Sequence, residues 1–309
     1  MLGHITDPSA PGGLALRELS DPSPERDQVV VAVVAYAVNR GELHLLQARP
    51  DGWQPGQDHA GVVARAAADG SGPPEGTRVV GLADGGAWSE RVAVPSYRVA
   101  PLPDGVDFEQ AAALPVAGLT ALRALRTGGA VVGRRVLVTG ASGGVGTFAV
   151  QLASIAGAEV TALVSGKHRV AAVESLGADA VVTDLDEGAE PFDVVLDGVG
   201  GKVMVDAIHR LAPRGIVVAY GLAGEEPSSL SFRDFGTAPF GSIVAFRIYF
   251  TDLETMGQDL GALARLVDSG ELRAPLGVRL DWSKTMEGVD ALRRHEVEGK
   301  VVFTVSTQQ

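Results

Sequence analysis

Residues 136 to 146 read Val136-Leu-Val-Thr-Gly140-Ala-Ser-Gly-Gly144-Val-Gly146, a spacing suited to holding a phosphate. An apolar run of strand length ends in a turn almost bare of side chains, and a helical period follows from Val145 to Ile155. A strand, a glycine turn and a helix in that order leave unpaired helix N–H groups at the turn, where the helix dipole also favours an anion. Gly140, Gly143, Gly144 and Gly146 let a pyrophosphate approach the main chain without meeting a Cβ. Ser142, Gly143, Gly144, Val145 and Gly146 are therefore candidate contacts. The spacing is not a regular G-x-G-x-x-G, and a tight turn in a parallel α/β domain that binds nothing would carry similar glycines.

Two further stretches belong to the same chemistry. In NAD binders the second strand of the nucleotide unit ends in Asp or Glu, which accepts from the ribose 2′-hydroxyl. Here it ends Leu163-Val-Ser165-Gly-Lys167-His-Arg169, with no carboxylate to repel a 2′-phosphate. Ser165, Lys167 and Arg169 favour NADPH over NADH. A solvated helix start would also carry such cations, although they oppose the dipole of a first turn. Asp197-Gly198-Val199-Gly-Gly201 and Tyr220-Gly221 end later strands at the same sheet edge. Gly198, Val199, Tyr220 and Gly221 could reach a ribose or nicotinamide, or be plain strand-to-helix turns.

The elements needed to position these groups are legible in the periodicity. From 136 onward strands alternate with helices: strands 136–139, 159–164, 180–183, 193–196 and 216–220, and helices 145–155, 167–176 and 202–211. That rhythm predicts a doubly wound parallel sheet with helices on both faces. The first third is strand-like and rich in turns. Its strands are expected at 28–38, 60–67, 78–82 and 88–94, which suggests an antiparallel or barrel-like module. Helices near 258–267 and 283–294 precede a last strand, 300–305, which needs a sheet to join. The chain is therefore read as a discontinuous outer domain, residues 1–113 and 248–309, with an α/β domain, 114–247, inserted into it.

Composition narrows the function classes. With 46% hydrophobic and 21% charged residues, the chain is ordinary for a soluble enzyme. Its net charge of −12 argues against nucleic-acid binding, which needs a basic face. The absence of cysteine removes disulfides, thiolate nucleophiles and cysteine zinc sites, and fits a reducing cytoplasm. The N-terminus lacks the pattern of a signal peptide, and no apolar stretch is long enough to span a bilayer. A cytoplasmic location, with no membrane or nucleic-acid partner, is the expectation.

Six segments in order then carry a family resemblance. Gly56-Gln-Asp-His-Ala-Gly61-Val-Val, Gly76-Thr-Arg-Val-Val-Gly81 and Gly86-Ala-Trp-Ser-Glu-Arg-Val-Ala-Val-Pro95 lie in the first module. Ala111-Ala-Ala-Leu-Pro-Val-Ala-Gly-Leu-Thr120, Phe192-Asp-Val-Val-Leu-Asp-Gly-Val-Gly-Gly201 and Gly299-Lys-Val-Val-Phe-Thr follow. Together they resemble the medium-chain dehydrogenase/reductase superfamily, and within it the zinc-free, quinone oxidoreductase-like enzymes. The resemblance implies a Rossmann domain inserted into a barrel-like (GroES-like) catalytic domain, with a cleft between the two. The short-chain family shares the glycine turn, but there the turn opens the chain and a Tyr-x-x-x-Lys pair follows. None of Tyr36, Tyr97, Tyr220 and Tyr249 has a lysine four residues on.

Zinc-dependent members of the superfamily carry a cysteine where this chain has Asn39, and a histidine where it has Gln57. Amides are poor partners for a soft metal, so no metal is expected. Without a Lewis acid, hydride addition to a conjugated acceptor is easier than to a simple ketone, because charge spreads to a distant carbonyl oxygen. The resemblance thus implies an enzyme of NADPH-dependent reduction, acting on a quinone or an α,β-unsaturated carbonyl. Two other readings stay open: a biosynthetic tailoring enoyl reductase acting on an acyl or polyketide intermediate, and a cofactor-binding regulator without activity.

Candidates for the reaction site come from the former metal region. Asn39 could donate to substrate or nicotinamide ribose, or simply cap a turn. Tyr36 could supply a proton, or be core. Asp58 is expected to brace the site, with Arg40 as a partner. His59 could titrate near neutrality or be structural. Thr120 aligns with a family threonine near the nicotinamide. Arg247 could contact cofactor or substrate, or form an ion pair at a hinge. Two departures from the family bear on selectivity. The stretch between Asn39 and Gly56, with Leu43, Leu45, Leu46 and Trp53, is short, and Asp184 stands where relatives often place a tyrosine near the adenosine phosphate. The segment 241–250 is expected as an edge strand through which a homodimer forms.

Overall fold

The computed structural model describes residues 1–185 and 190–306. The chain divides into two compact units: Met1–Leu119 with Phe250–Gln309, and Thr120–Tyr249. The expected domain limits lie a few residues before both junctions. The first junction falls within a helix, where no turn residue marks it.

The first unit opens with a hairpin, β1 (Leu2–Thr6) and β2 (Leu14–Glu18), and a long strand, β3 (Gln28–Val38). Helix α1 (Arg40–Ala48) follows, then β4 (Asp58–Arg65), β5 (Arg78–Leu82), β6 (Arg91–Pro95) and β7 (Val99–Pro101). A short α2 (Phe108–Ala112) leads into α3 (Pro115–Thr127). β3 is almost wholly β-branched or small and is buried along most of its length, as a strand paired on both sides requires.

The second unit alternates strand and helix. In order come β8 (Arg135–Thr139), α4 (Gly144–Ile155), β9 (Glu159–Leu163), α5 (Val170–Glu174) and β10 (Ala180–Val182). Then follow β11 (Phe192–Asp197), α6 (Gly201–Ile208), β12 (Leu211–Ala219) and β13 (Ser242–Ala245). All five pairings in this sheet are parallel, in the order β10-β9-β8-β11-β12-β13. This is the doubly wound arrangement with the order 3-2-1-4-5-6, and its switch point lies between β8 and β11.

The chain returns to the first unit through α7 (Met256–Asp268), β14 (Leu276–Asp281), α8 (Thr285–Arg293) and β15 (Lys300–Thr304). The last strand joins the first module as expected, antiparallel to β3, with Val301 opposite Val38. Its seven-stranded sheet runs β14-β15-β3-β4-β5-β7, with β6 also on β3. Under this sheet Tyr36 stacks between Trp88 and Phe303, at centroid distances of 5.7 and 5.2 Å.

Most strands form within a residue or two of their expected limits. The segment after β3 differs, because Arg40–Ala48 is a helix. The expected helix 167–176 is a single 3-10 turn followed by the short α5. Among the described residues no helix is long and apolar enough to cross a membrane.

Candidate functional site

At the carboxyl ends of β8 and β11, two turns are joined by buried polar groups. Thr139 Oγ1 donates to Asp197 Oδ1 at 2.6 Å and accepts from the Gly198 N–H at 3.1 Å. Asp197 Oδ2 accepts from the Gly200 N–H at 3.0 Å. No cation pairs with Asp197 among the described residues, and burial holds its carboxyl above the usual carboxylate range. The switch point is thus tied across by one hydroxyl and one carboxyl.

The glycine turn is fixed by close packing. A Cβ on Gly146 would lie 2.3 Å from the Gly140 carbonyl oxygen and 2.7 Å from Ala141 Cα. Gly140 itself has φ +61°, a left-handed conformation that favours glycine. Gly143 is the N-cap of α4, and Gly143, Gly144 and Val145 are half-buried at the helix start. Ser142 is buried, and its Oγ accepts from Arg169 Nη1 at 3.1 Å. The Arg169 guanidinium, from the 3-10 turn that follows β9, is thus anchored on the glycine turn. Lys167 and Ser165 are exposed nearby in sequence.

Other expected contacts stand differently. A Cβ on Gly198 would meet the Tyr220 ring at 2.7 Å, and one on Gly221 would meet the Gly198 carbonyl oxygen at 2.7 Å. Packing of the two turns on each other accounts for both glycines. Val199 is half-buried, and its side chain is 3.1 Å from a Cβ built on Gly140. Tyr220 is half-buried, and burial with the Asp197 charge pushes its phenol up. Arg247 is exposed just beyond β13. Asp184 is exposed beyond β10; the Lys202 ammonium is raised chiefly by its hydrogen bond to Asp206, and the Asp184 charge adds to it.

In the first unit the register does the assembling. β15 and β4 flank β3, so the start of β15, the end of β3 and the start of β4 lie together. This convergence brings Lys300, Asn39 and Asp58 into one buried group. Lys300 Nζ donates to Asp58 Oδ2 at 2.9 Å, to Asn39 Oδ1 and to the Val38 carbonyl at 3.3 Å. Asn39 Nδ2 donates to Asp58 Oδ2 at 2.8 Å. Asp58 Oδ1 accepts from the Val116 N–H at 2.8 Å, at the N-terminus of α3, where the helix dipole favours an anion. Asn39 is also the N-cap of α1. Glu42, at the third position of that helix, reaches back to accept from the Asn39 N–H at 2.8 Å and from Asn39 Nδ2 at 3.3 Å. Glu42 is fully buried and its Oε1 has no partner. Burial and the Asp58 charge push its carboxyl up to about 8.

Several expectations change here. Tyr36 is not placed as a proton donor. It is wholly buried, its hydroxyl is 2.6 Å from Thr285 Oγ1, and burial drives the phenol upward. Asp58 pairs with Lys300 rather than Arg40, whose guanidinium reaches the Leu292 carbonyl and the His295 ring. Asn39 is not a free donor, because both of its amide hydrogens are used inside the group. The ammonium on Oδ1 fixes the amide's orientation and leaves that oxygen one lone pair to offer. His59 is buried and held neutral, pushed down to about 4 by burial. Thr120 is buried on α3, at the head of the second unit.

Glu42 and Lys300 were absent from the sequence-derived candidates. The Asn39-x-x-Glu42 spacing is a capping-box signal for a helix start, and a lysine opening a strand as apolar as Lys300-Val-Val-Phe suggests a buried partner. The same residues test the fit of a zinc ion. Asn39 and Asp58 are already bonded to the Lys300 ammonium and only Glu42 Oε1 is left, so the group does not offer the ligand set of a divalent cation.

Comparison with known proteins gives two matching family models. The alcohol dehydrogenase GroES-like domain matches residues 25–104, and the zinc-binding dehydrogenase model matches 144–260. The trans-enoyl reductase tazE of Aspergillus terreus is 37% identical over 229 residues, covering 65% of this chain and 71% of that protein. Several other curated relatives are longer, and the chain spans only 51 to 61% of their length. The quinone oxidoreductase of Coxiella burnetii has a TM-score of 0.82 and 25% identity, with 99% of each chain covered. A mycobacterial protein solved in complex with NADPH shares the fold, at TM-score 0.87 and 24% identity over 98% of this chain and 99% of that one. From the parallel sheet inserted in a GroES-like domain and from these relatives, the chain belongs to the medium-chain dehydrogenase/reductase superfamily, as an oxidoreductase of the quinone oxidoreductase-like kind.

Proposed function

We propose that this oxidoreductase uses NADPH, without zinc, to transfer hydride to a quinone or an α,β-unsaturated carbonyl. The observation that carries the reading is the closed Asn39–Asp58–Lys300 group, in which an amide and an ammonium hold the former metal region. A site with no Lewis acid works best on acceptors that delocalise the incoming charge. The cofactor choice is supported by Arg169, anchored on Ser142 beside the start of α4, and by the lack of a carboxylate at the end of β9.

The bound nicotinamide supplies a hydride. The chain's own residues bind and orient. Gly144, Val145 and Gly146 would present free helix N–H groups to the pyrophosphate, with the Gly143 N–H already held by the Gly140 carbonyl at 2.9 Å, and Ser142, Ser165, Lys167 and Arg169 would hold a 2′-phosphate. Gly198, Val199, Tyr220 and Gly221 shape the edge of the sheet beyond the switch point. Asn39 Oδ1 accepts from a ribose or substrate hydroxyl, while Thr120 offers a hydroxyl, and Arg247 a cation, to cofactor or substrate. Asp58 positions Asn39. The proton that completes the reduction comes from water.

A second reading has its own support: tazE is a trans-enoyl reductase. The chain is then a tailoring enzyme for one acyl or polyketide intermediate. A panel assay separates the two. With NADPH and a chelator present, turnover of simple quinones or enones supports the first reading, and turnover of acyl thioesters alone supports the second. Tight NADPH binding with no turnover of any acceptor overturns both. A homodimer through the β13 edge is also inferred, because Ile243 on that strand and the nearby Phe240 are exposed. Only monomer in sedimentation at micromolar concentration would remove it.

A further inference from the structure

We propose that Glu42 is a positioning residue held as a carboxylic acid, and that its ionisation releases the Asn39 amide from its fixed orientation. The inference rests on the reading above, in which Asn39 meets cofactor or substrate.

The buried group contains two carboxyls, Asp58 and Glu42, and one ammonium, Lys300. Lys300 touches Asp58 and Asn39, and among the described residues Glu42 makes no ion pair. With Glu42 protonated the group is neutral. With Glu42 ionised it carries one uncompensated negative charge in a fully buried place, which is far more costly than one unpaired hydroxyl. The orphaned Oε1 points the same way, since a carboxylate there would leave a charged oxygen with no donor.

Among the described residues no second cation forms an ion pair with Glu42. From β3 comes the Tyr36 phenol, from β4 Asp58 and from β15 Lys300. α8 packs on α1; its Arg293 pairs through Nη1 with Asp290, and beyond the helix the His295 ring meets Arg40. The proton therefore belongs to the trio, and Glu42 is the member that keeps it.

The geometry also says what ionisation does. Asn39 Nδ2 is shared, 2.8 Å from Asp58 and 3.3 Å from Glu42. A neutral Glu42 is the weaker acceptor, so the amide stays on Asp58. Each acceptor takes one of the two amide hydrogens, so an anionic Glu42 pulls harder on the one it already holds and draws on Lys300, and the amide shifts away from Asp58.

Two measurements test this on the full chain. Glutamate labelled with 13C at the side-chain carboxyl should give one resonance titrating near pH 8, and that resonance should be missing in Glu42→Gln. In parallel, kcat/KM with NADPH and an enone should fall about tenfold per pH unit above that value in the wild type. Glu42→Gln, neutral at every pH, should lose that basic limb. If every glutamate carboxyl titrates below pH 6, or if Glu42→Gln keeps the limb, the inference is overturned. If no acceptor is turned over, the functional reading fails while the carboxyl titration still decides Glu42. The titration of the wild type decides it also if the variant does not fold.

Discussion

The two units bury acid in opposite ways. At the switch point of the second unit, Asp197 is satisfied by neutral donors, a hydroxyl and two backbone N–H groups. In the first unit, Asp58 is satisfied by an ammonium, an amide and a helix N-terminus, and a second acid sits beside it without a cation. The first solution is mostly local: Asp197 and the two N–H groups it holds lie within four consecutive residues, and only the Thr139 hydroxyl comes from the neighbouring strand. The second is assembled from residues 39, 42, 58, 116 and 300. A turn can be tied with neutral groups, whereas fixing the Asn39 amide takes charges drawn from distant segments.

The contrast can be broken at several points. The largest effect is expected from Lys300→Met, which leaves Asp58 buried and unpaired and should destabilise the fold by about 3–5 kcal/mol in chemical denaturation. Replacing Asp58 and Lys300 together should restore part of that loss. Full additivity of the two single changes would show that the pair is not coupled.

The pH dependence comes next. His4 and His59 are both buried with their imidazoles pushed down to about 4. A lowered histidine binds protons in the unfolded chain first. Stability from these two rings is therefore present above about pH 6.5 and is lost as pH falls toward 4, by a few kcal/mol in total. Glu42, raised to about 8, works in the opposite sense: its contribution is full below pH 4.5 and is lost as pH rises through 8. A bell-shaped stability curve, with His59→Gln flattening the acid side, is the expected result. A curve flat from pH 4 to 9 would mean that these groups are open to water.

In the second unit, Gly146→Ala should cost about 1–3 kcal/mol, because the methyl meets the Gly140 carbonyl and Ala141. It should also weaken binding of either nucleotide, NADPH or NADH. Arg169→Ala should weaken NADPH alone, by about 1.5–3 kcal/mol, and leave NADH unchanged. Equal loss for both cofactors in fluorescence titration would assign Arg169 to the pyrophosphate rather than to the 2′-phosphate. The smallest effect is expected from Thr139→Val, about 1 kcal/mol, seen as a small drop in Tm and a modest rise in the nucleotide Kd.

Legibility follows the same division. The glycine turn, the six parallel strands and the return of 300–305 to the first sheet are written as local periodicity, so chain reading finds them. Helix α1 is not visible in the sequence, because its leucines sit among polar residues and its start signal, Asn39 with Glu42, resembles any polar pair. Tyr36 looked like a candidate acid because of where it stands in the chain. Only the packing of Trp88 and Phe303 against it, and the Thr285 hydroxyl, show that it is core.

By itself the sequence determined the class of fold and the glycine turn between β8 and α4, and it displays amides, Asn39 and Gln57, where the family resemblance directs attention. These depend on residue type and short spacing, which a chain displays directly. The tertiary structure alone decided that Lys300 meets Asp58 across 242 positions, and that Asn39 is locked between them with Glu42 left to hold a proton. Strand register brings those residues together, and the strength of a charge depends on what is buried beside it.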